Sequence, residues 1–547
     1  MSSIDTGLHY PIELENLPES WVYGLVGEFC DIVQSGFACG KHSDDDIGVT
    51  HLRPMNVNRA GEIDLTVQKY VPTSYDNRRL TTGNVLFNNT NSPELIGKTA
   101  YVTNEADGLA FSNHMTRIEF KNGIDSKYGA YQLHYLWMAR YYMHKCIKHV
   151  NQASISSSDF SKSIPFVVPP TNEQHRIVAK IEELFSELDK GIESLKRARE
   201  QLKIYRQALL KHAFEGKLTE QWRRDNADKQ ETADQLLARI KQAREAHYQH
   251  QLEEWKAAIK QWEADGKEEK KPPKPRINKQ QHSFSDSEIE QLPQLPETWR
   301  WVALDELVSG LPRSMQSGPF GSNLKHSEFQ DTGVLVIGID NVRDGEYSKG
   351  SQNRISEKKF IELRKYQARP GDLLVTVMAS LGRTCVVPRD IENAIITKHV
   401  YRITMEHDFL LPEFYNLVLQ SHTVSRNRMF ENAQGQTRPG LNSKILKELP
   451  MPLCSLEEQN QIYLRLEEKL TQLGSLEAEV NDNLKRCEAL RQSILKKAFS
   501  GQLVAQDPND EPASVLLERI AAEKTQTAKT SKKTRPMKKR TTRSSIA

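Results

Sequence analysis

The chain has 547 residues, of which 27% are charged and only 37% hydrophobic, so it is long enough for three or four structural units and too polar for one large globule. A net charge of +3 excludes bulk charge as a pointer to nucleic acid, and six scattered cysteines with no C-x-x-C pair exclude a disulfide framework or a zinc site of recognisable spacing. No apolar run suits a membrane span, and the first residues lack a basic segment leading into an apolar one, which predicts a cytoplasmic protein.

In chain order, the first landmark is "LPESW" at Leu17 to Trp21. Short apolar runs follow, "GVTHLRPMNV" from Gly48, "GNVLFNNT" from Gly83 and "SNHMTRI" from Ser112, punctuated by Gly, Asn and Asp as strands and turns are. A helical pattern, "YQLHYLWMARYYMHK" from Tyr131, leads to "IPFVVPPTNEQ" at Ile164 to Gln174. From Ile177 a stripe runs through Ile177, Ile181, Leu184, Leu188, Gly191, Leu195, Ala198, Leu202, Tyr205 and Leu209 at alternating spacings of four and three. That two-in-seven pattern predicts a coiled-coil seam rather than a helix lying on a broad core. Thr171 with Glu173 and Gln174 suits a helix start, and Gly216, in "QALLKHAFEGKLT", suits a left-handed stop. The span from Glu173 to Glu215 corresponds to roughly 64 Å at 1.5 Å per residue. A short amphipathic segment, "ETADQLLARI", comes next, and residues 248–290 read as an exposed helix and a flexible connector broken by "KPPKP".

The same order then returns. "LPETW" stands at Leu295 to Trp299, "GVLVIGIDNV" at Gly333, "GDLLVTVM" at Gly371 and "TKHVYRI" at Thr397, the last 285 positions after its first copy. "LPMPLCSLEEQ" at Leu449 and "QSILKKAFSGQLV" at Gln492 share that offset of 285. The second seam is Ile462, Leu466, Leu473, Leu476, Val480, Leu490 and Ile494. The simplest partner for each long helix is the other, with pairing to a second copy of the chain as the competing arrangement. The last segment, after Glu523, holds nine Lys or Arg and no acid, the composition of a solvated tail that attracts polyanions without specificity.

Catalytic motifs are not found. No Gly-x-Gly-x-x-Gly occurs, and "GKT" at Gly97 has Ser92 where a phosphate loop needs its earlier glycine. "VPPT" at Val168 lacks the polar first and aromatic last residues of the amino-methyltransferase motif. The acids of "HSDDDIG" (His42 to Gly48) read as a solvated loop, and His114 and His399, 285 apart, as structural histidines.

The doubled Leu-Pro-x-x-Trp, Pro-x-x-x-Glu-Gln and Ala-Phe-x-Gly-x-Leu phrases, in fixed order over nearly the whole chain, closely resemble the specificity subunit of type I restriction-modification enzymes. The resemblance implies an α+β fold with a pseudo-twofold internal repeat: two mixed α/β target-recognition domains joined by two long antiparallel coiled-coil helices. The domains would be 1–170 and 295–455, the spacer helices 171–218 and 456–503, the amphipathic segment and linker 219–294, and a further amphipathic segment with the basic tail 504–547. It implies double-stranded DNA as a partner, read as two half-sites, with two modification subunits that methylate adenine N6 and two restriction subunits. S-adenosylmethionine, ATP and Mg would belong to those partners, with no cofactor, metal or catalytic residue in this chain. A self-contained methyltransferase or nuclease, and a coiled-coil assembly protein unrelated to DNA, are the alternatives.

Asn and Gln suit adenine, and Arg and Lys suit guanine or phosphate. Loop residues of those types are Lys41, His42, Arg53, Asn56, Asn88, Asn89, Asn91 and Lys98 in the first copy. In the second they are Lys325, His326, Asn341, Arg383, Lys398, Gln434, Gln436 and Arg438.

Overall fold

The computed structural model describes residues 10–40, 42–43, 47–74, 76–150, 152–268, 270–275, 282–320, 323–421, 424–431 and 440–522. It divides into two compact units, Met1–Arg197 with Val480–Ala547, and Ala198–Glu479.

The first unit is built on an antiparallel sheet ordered Cys30–Ser35, Met115–Phe120, Val85–Asn88, Thr99–Tyr101. Both inner strands are largely buried, Val85–Asn88 along its whole length and Met115–Phe120 with two half-buried residues among its six. A helix, Ser126–Met138, starts where the Asp125 carboxylate accepts from the Lys127 and Tyr128 amides at 2.8 and 3.1 Å, and it brings Tyr128 and Leu133 into the core with Phe87 and Ile118. A smaller sheet holds Tyr70–Val71, Val49–Leu52 and Ala110–Phe111.

The second unit repeats this plan. Its main sheet runs Met315–Ser317, Val400–Ile403, Leu373–Thr376, Thr384–Val386, and its smaller sheet places Val334–Ile337 between Arg354–Ile355 and a parallel Ala394–Ile396, with Gln367–Ala368 added at the edge. One element has no counterpart among the described residues of the second unit: a three-stranded sheet of Ile147–Lys148, Ala153–Ser154 and Thr90–Asn91 in the first.

In each unit the repeated phrases form one antiparallel ladder. Val22–Leu25 pairs with Pro165–Val168, and Arg300–Ala303 with Pro450–Leu453. Each ladder delivers the chain into a 44-residue helix, Thr171–Phe214 or Leu456–Phe499, about 66 Å long at 1.5 Å per residue. Gly216 (φ 74°) and Gly501 (φ 72°) stop these helices, with the Lys217 and Gln502 amides turning back onto the His212 and Lys497 carbonyls.

Portions of both helices lie in each unit and run in opposite directions there. In the first unit Arg491 pairs with Asp189 and lies 4.5 Å over the Phe185 ring, while Glu173 meets Gln506. In the second, Arg206 pairs with Glu477 at 3.3 Å and Arg465 donates to the Leu218 carbonyl at 2.9 Å.

Of the predicted seam, Ile177, Ile181, Leu188, Leu209, Ile462, Leu466, Leu473 and Ile494 are buried, and Leu184, Leu195, Leu202 and Val480 are half-buried. Tyr205, Leu476 and Leu490 are corrected: they are 51%, 48% and 52% exposed. A straight helix drifts about 20° per heptad from a 3.5-residue repeat, so a stripe read at alternating four and three leaves the contact line over several turns. Towards the helix ends the buried face is instead broader than two in seven, taking in Val178, Phe185, Ala213, Phe214, Leu495, Ala498 and Phe499 against the domain cores.

The amphipathic segments act as clasps. The Ala233 amide donates to the Thr298 carbonyl and the Ala513 amide to the Ser20 carbonyl, both at 2.9 Å, with Leu236, Ile240, Leu516 and Ile520 buried behind them. The segment following the second helix therefore closes the unit that contains the start of the chain. Of the predicted connector, residues 269 and 276–281 lie outside the described residues. The helix Ala233–Ala264 is followed by a return in which the Trp255 indole donates to the Pro272 carbonyl at 3.0 Å, with Lys274 over Trp255 and Lys271 over Trp262.

Candidate nucleic-acid interface

Each unit holds its frame together at a buried junction made from all three repeated phrases. The Trp21 indole donates to Glu173 at 3.0 Å, and Gln506 donates to the other oxygen of that carboxylate at 2.7 Å. The Trp299 indole donates to Glu458 at 2.8 Å, and Glu458 also accepts from Thr219 at 2.7 Å and from Arg223. Burial pushes the Glu173 carboxyl above its ordinary range, against the pull of Gln506 and Trp21. The neighbouring glutamines pin the helix entrance to the domain. Gln174 accepts from the Asp125 amide at 2.7 Å, and Gln459 from the Leu411 amide at 2.9 Å.

The third phrase closes the junction. A Cβ on Gly216 would come within 2.4 Å of Pro296, and one on Gly501 within 2.5 Å of Pro18, so each helix-stop glycine seats the Leu-Pro-x-x-Trp of its unit. Sequence reasoning gave Glu and Gln a capping role. Ser455 does cap, accepting from the Glu458 amide at 3.2 Å, but Thr171 donates to the Gly123 carbonyl instead. The missed signal was the pairing of a Trp with an acid near a helix start, twice over.

The predicted reading residues separate into two groups. Five are buried and committed to the fold, which corrects their assignment as base-readers. Asn56 accepts from the Arg53 amide at 3.0 Å and donates to the Asp64 and Val67 carbonyls at 2.8 Å. Asn341, 285 positions on, accepts from the Gly338 amide at 2.8 Å and donates to the Ser348 carbonyl at 3.1 Å, so the two asparagines lock equivalent turns. Asn88 donates to the Pro54 carbonyl at 2.9 Å, and Asn89 to Thr116 and the Asn113 carbonyl at 2.9 and 3.1 Å. The Lys98 ammonium reaches the Val57 carbonyl, and burial lowers its pKa. In polar-rich loops the same residue types serve turns and grooves, and only burial tells them apart.

The other described residues present polar groups outward. His42, Lys325, His326 and Lys398 are exposed, and Arg53, Asn91 and Arg383 are half-buried. Lys41, Gln434, Gln436 and Arg438 lie outside the described residues. His42 bonds to His51 at 2.8 Å; burial and the His42 ring hold His51 down at about 4.

Two of these residues gather at one end of the second unit's main sheet, and the first unit repeats the arrangement with other side chains. In the second unit the Val377 amide donates to the His399 carbonyl and the Thr376 amide to the Arg383 carbonyl, both at 2.9 Å, which places Arg383 and Lys398 on adjoining loops. In the first unit the Asn89 and Asn88 amides make the same bonds to His114 and Lys98, at 3.0 and 2.9 Å. Gly97-Lys98-Thr99 and Gly382-Arg383-Thr384 are thus the same structural turn, not a phosphate loop. Its cation is buried in one unit and half-exposed in the other. Burial and Lys398 lower the His399 pKa. Among the described residues no group of three His, Cys, Asp or Glu is placed to hold a metal, and no helix is long and apolar enough to cross a membrane.

Two mixed units with one strand order, each tied by the same Trp–Glu junction to a long helix, define a doubled helix-linked scaffold. The family model for the type I restriction modification DNA specificity domain matches residues 18–197 and 323–486, more than half of the sequence, and the chain belongs to that family. The EcoBI specificity subunit of Escherichia coli is 27% identical over 365 residues, which cover 65% of this chain and 64% of that protein, so the chain matches slightly less than two thirds of its length. The EcoDI specificity subunit of Escherichia coli is 24% identical over 66% of this chain and 69% of that protein. A solved structure from a study of complex assembly and conformational transition of the type I R-M system has the same fold, with a TM-score of 0.60 at 18% identity over 89% of this chain and 99% of that one.

Proposed function

We propose that this chain is the non-catalytic, sequence-reading subunit of a type I restriction-modification complex. Each unit carries one target-recognition domain that reads one half of a bipartite duplex target. The two long helices form the antiparallel coiled-coil spacer between them, in a pseudo-twofold arrangement. Two modification subunits dock on the repeated scaffold and supply S-adenosylmethionine-dependent adenine N6 methylation. Two restriction subunits, using ATP and Mg, complete the complex, which works in the cytoplasm.

One observation carries this reading: a matched framework bears unmatched outward side chains. Asn56 and Asn341 keep the same turn, and the Gly-x-Thr hairpins keep the same bonds, while the exposed groups around them differ. Two different half-sites read from one scaffold require that division of labour.

The test is to express the chain with its modification subunit in a methylation-free host and map N6-methyladenine. A bipartite motif with a fixed gap supports the proposal; a soluble complex that leaves the genome unmethylated refutes it.

A further inference from the structure

The first unit's additional three-stranded sheet is unlike the rest of its surface. Asn91 and Thr90 pair with Ala153 and Ser154, which pair in turn with Lys148 and Ile147. The root is rigid: Ala153 and Ile155 are in the domain core, and the Ile155 amide donates to the Asn89 carbonyl at 2.9 Å. The far end stands in solvent. The His149 amide closes the hairpin on the Gln152 carbonyl at 2.7 Å, Ile147 is 58% exposed and Val150 is 97% exposed.

Charge along this stretch of the chain has a single sign. No Asp or Glu occurs between Asp125 and Asp159, in a chain with 72 acids, whereas His144, Lys145, Lys148 and His149 crowd the hairpin. Protection of an edge strand accounts for an outward lysine such as Lys148. It does not account for a valine placed almost wholly in solvent, where a polar turn residue costs nothing.

From this we infer that the hairpin of Ile147–Lys148 and Ala153–Ser154 is a DNA-contacting element of the first recognition domain, with Lys148 on phosphate and Val150 against the bases. The inference rests on the function proposed above. A two-stranded ribbon fits the major groove, where an apolar side chain distinguishes thymine by its methyl group and cations along the stem meet the backbone. The anchored root holds the tip to one register, as base reading demands. Neither Lys148 nor Val150 is among the candidates of Asn-rich and Gly-rich loops, since an apolar tip carries no donor or acceptor pattern.

The test uses the full chain in complex with its modification subunit, comparing wild type with Lys148→Ala, Val150→Ala and Val150→Asp, and with Lys190→Ala on the exposed face of the first long helix as a charge-matched control. Lys148→Ala is expected to weaken binding several-fold on every duplex and to lower the salt slope by about one, with Lys190→Ala unchanged. Val150→Ala is expected to relax one position in one half-site of the methylation motif and leave the other half intact, and Val150→Asp to reduce affinity at least ten-fold. Thermal melting checks that the variants are folded, since all the altered side chains are exposed. If the wild type yields its bipartite motif but the hairpin variants keep affinity, salt slope and motif, this inference is overturned and the function stands. Variants that lose only the modification subunit make the hairpin a protein-docking element and also overturn it. A wild type without any motif overturns both.

Discussion

Replacing Glu458 by Ala tests the junction most directly. Its carboxylate is buried and takes three donors: the Trp299 indole, the Thr219 hydroxyl and the Arg223 guanidinium, whose side chain is 14% exposed. Truncation strands two neutral donors at about 1 kcal/mol or more each and one largely buried cation at about 3 kcal/mol, for a loss of about 4–6 kcal/mol in the second unit. Glu173→Ala strands only Trp21 and Gln506, both neutral, and some of its carboxylate's desolvation cost is recovered, giving a loss of about 2–3 kcal/mol in the first. Two units need not melt together, so the assay is calorimetry with resolved transitions, supported by tryptophan fluorescence at Trp299. The transition of the second unit should fall further for Glu458→Ala than that of the first for Glu173→Ala. Glu458→Ala combined with Arg223→Ala should cost less than the sum of the single changes, because the second removes the stranded charge. Equal losses in the two units, or an additive cycle, would refute a junction organised around a buried ion pair.

Three further outcomes follow from the geometry. Gly501→Ala should destabilise the first unit by about 2 kcal/mol or more in urea titration, since a Cβ there meets Pro18 in a left-handed backbone. Acid should weaken the first unit as pH falls from about 6.5 towards 4: buried His51 and His134 are both held at about 4 when folded, so over that window the unfolded chain binds more protons. His51→Gln should flatten the dependence of the melting temperature on pH, and an unchanged slope would exclude His51 as the linked group. Asn56→Ala and Asn341→Ala should each lower stability by about 2 kcal/mol while leaving any motif made by the surviving folded protein unaltered, whereas Arg383→Ala should leave stability alone and change binding.

The repeat, the helix stops and the burial of most positions on the four-and-three stripe were legible in the sequence, because each depends on spacing along the chain. Gly216 and Gly501 have the left-handed backbone that their position after a basic last turn predicts. Ile177, Ile181, Ile462 and Leu466 are buried as their period requires. Tyr205, Leu476 and Leu490 satisfied the same period and are exposed, since whether a stripe is covered depends on what lies against each turn. Base-reading candidates fared differently. Residue type alone grouped Asn56 with Asn91, and Lys98 with Arg383, but hydrogen bonds between residues far apart in sequence decide which amide or ammonium is already spent.

The sequence by itself determined that one plan is used twice and where each copy starts, turns and stops, because duplication and helix periodicity are written in local order. Only the tertiary structure decided that Leu-Pro-x-x-Trp, Glu-Gln and the stopping glycine meet in one buried junction, and that the segment after the second helix completes the first unit. Those pairings join residues far apart in the chain, where the burial of a carboxylate, an indole and a proline, rather than any local propensity, selects the partner.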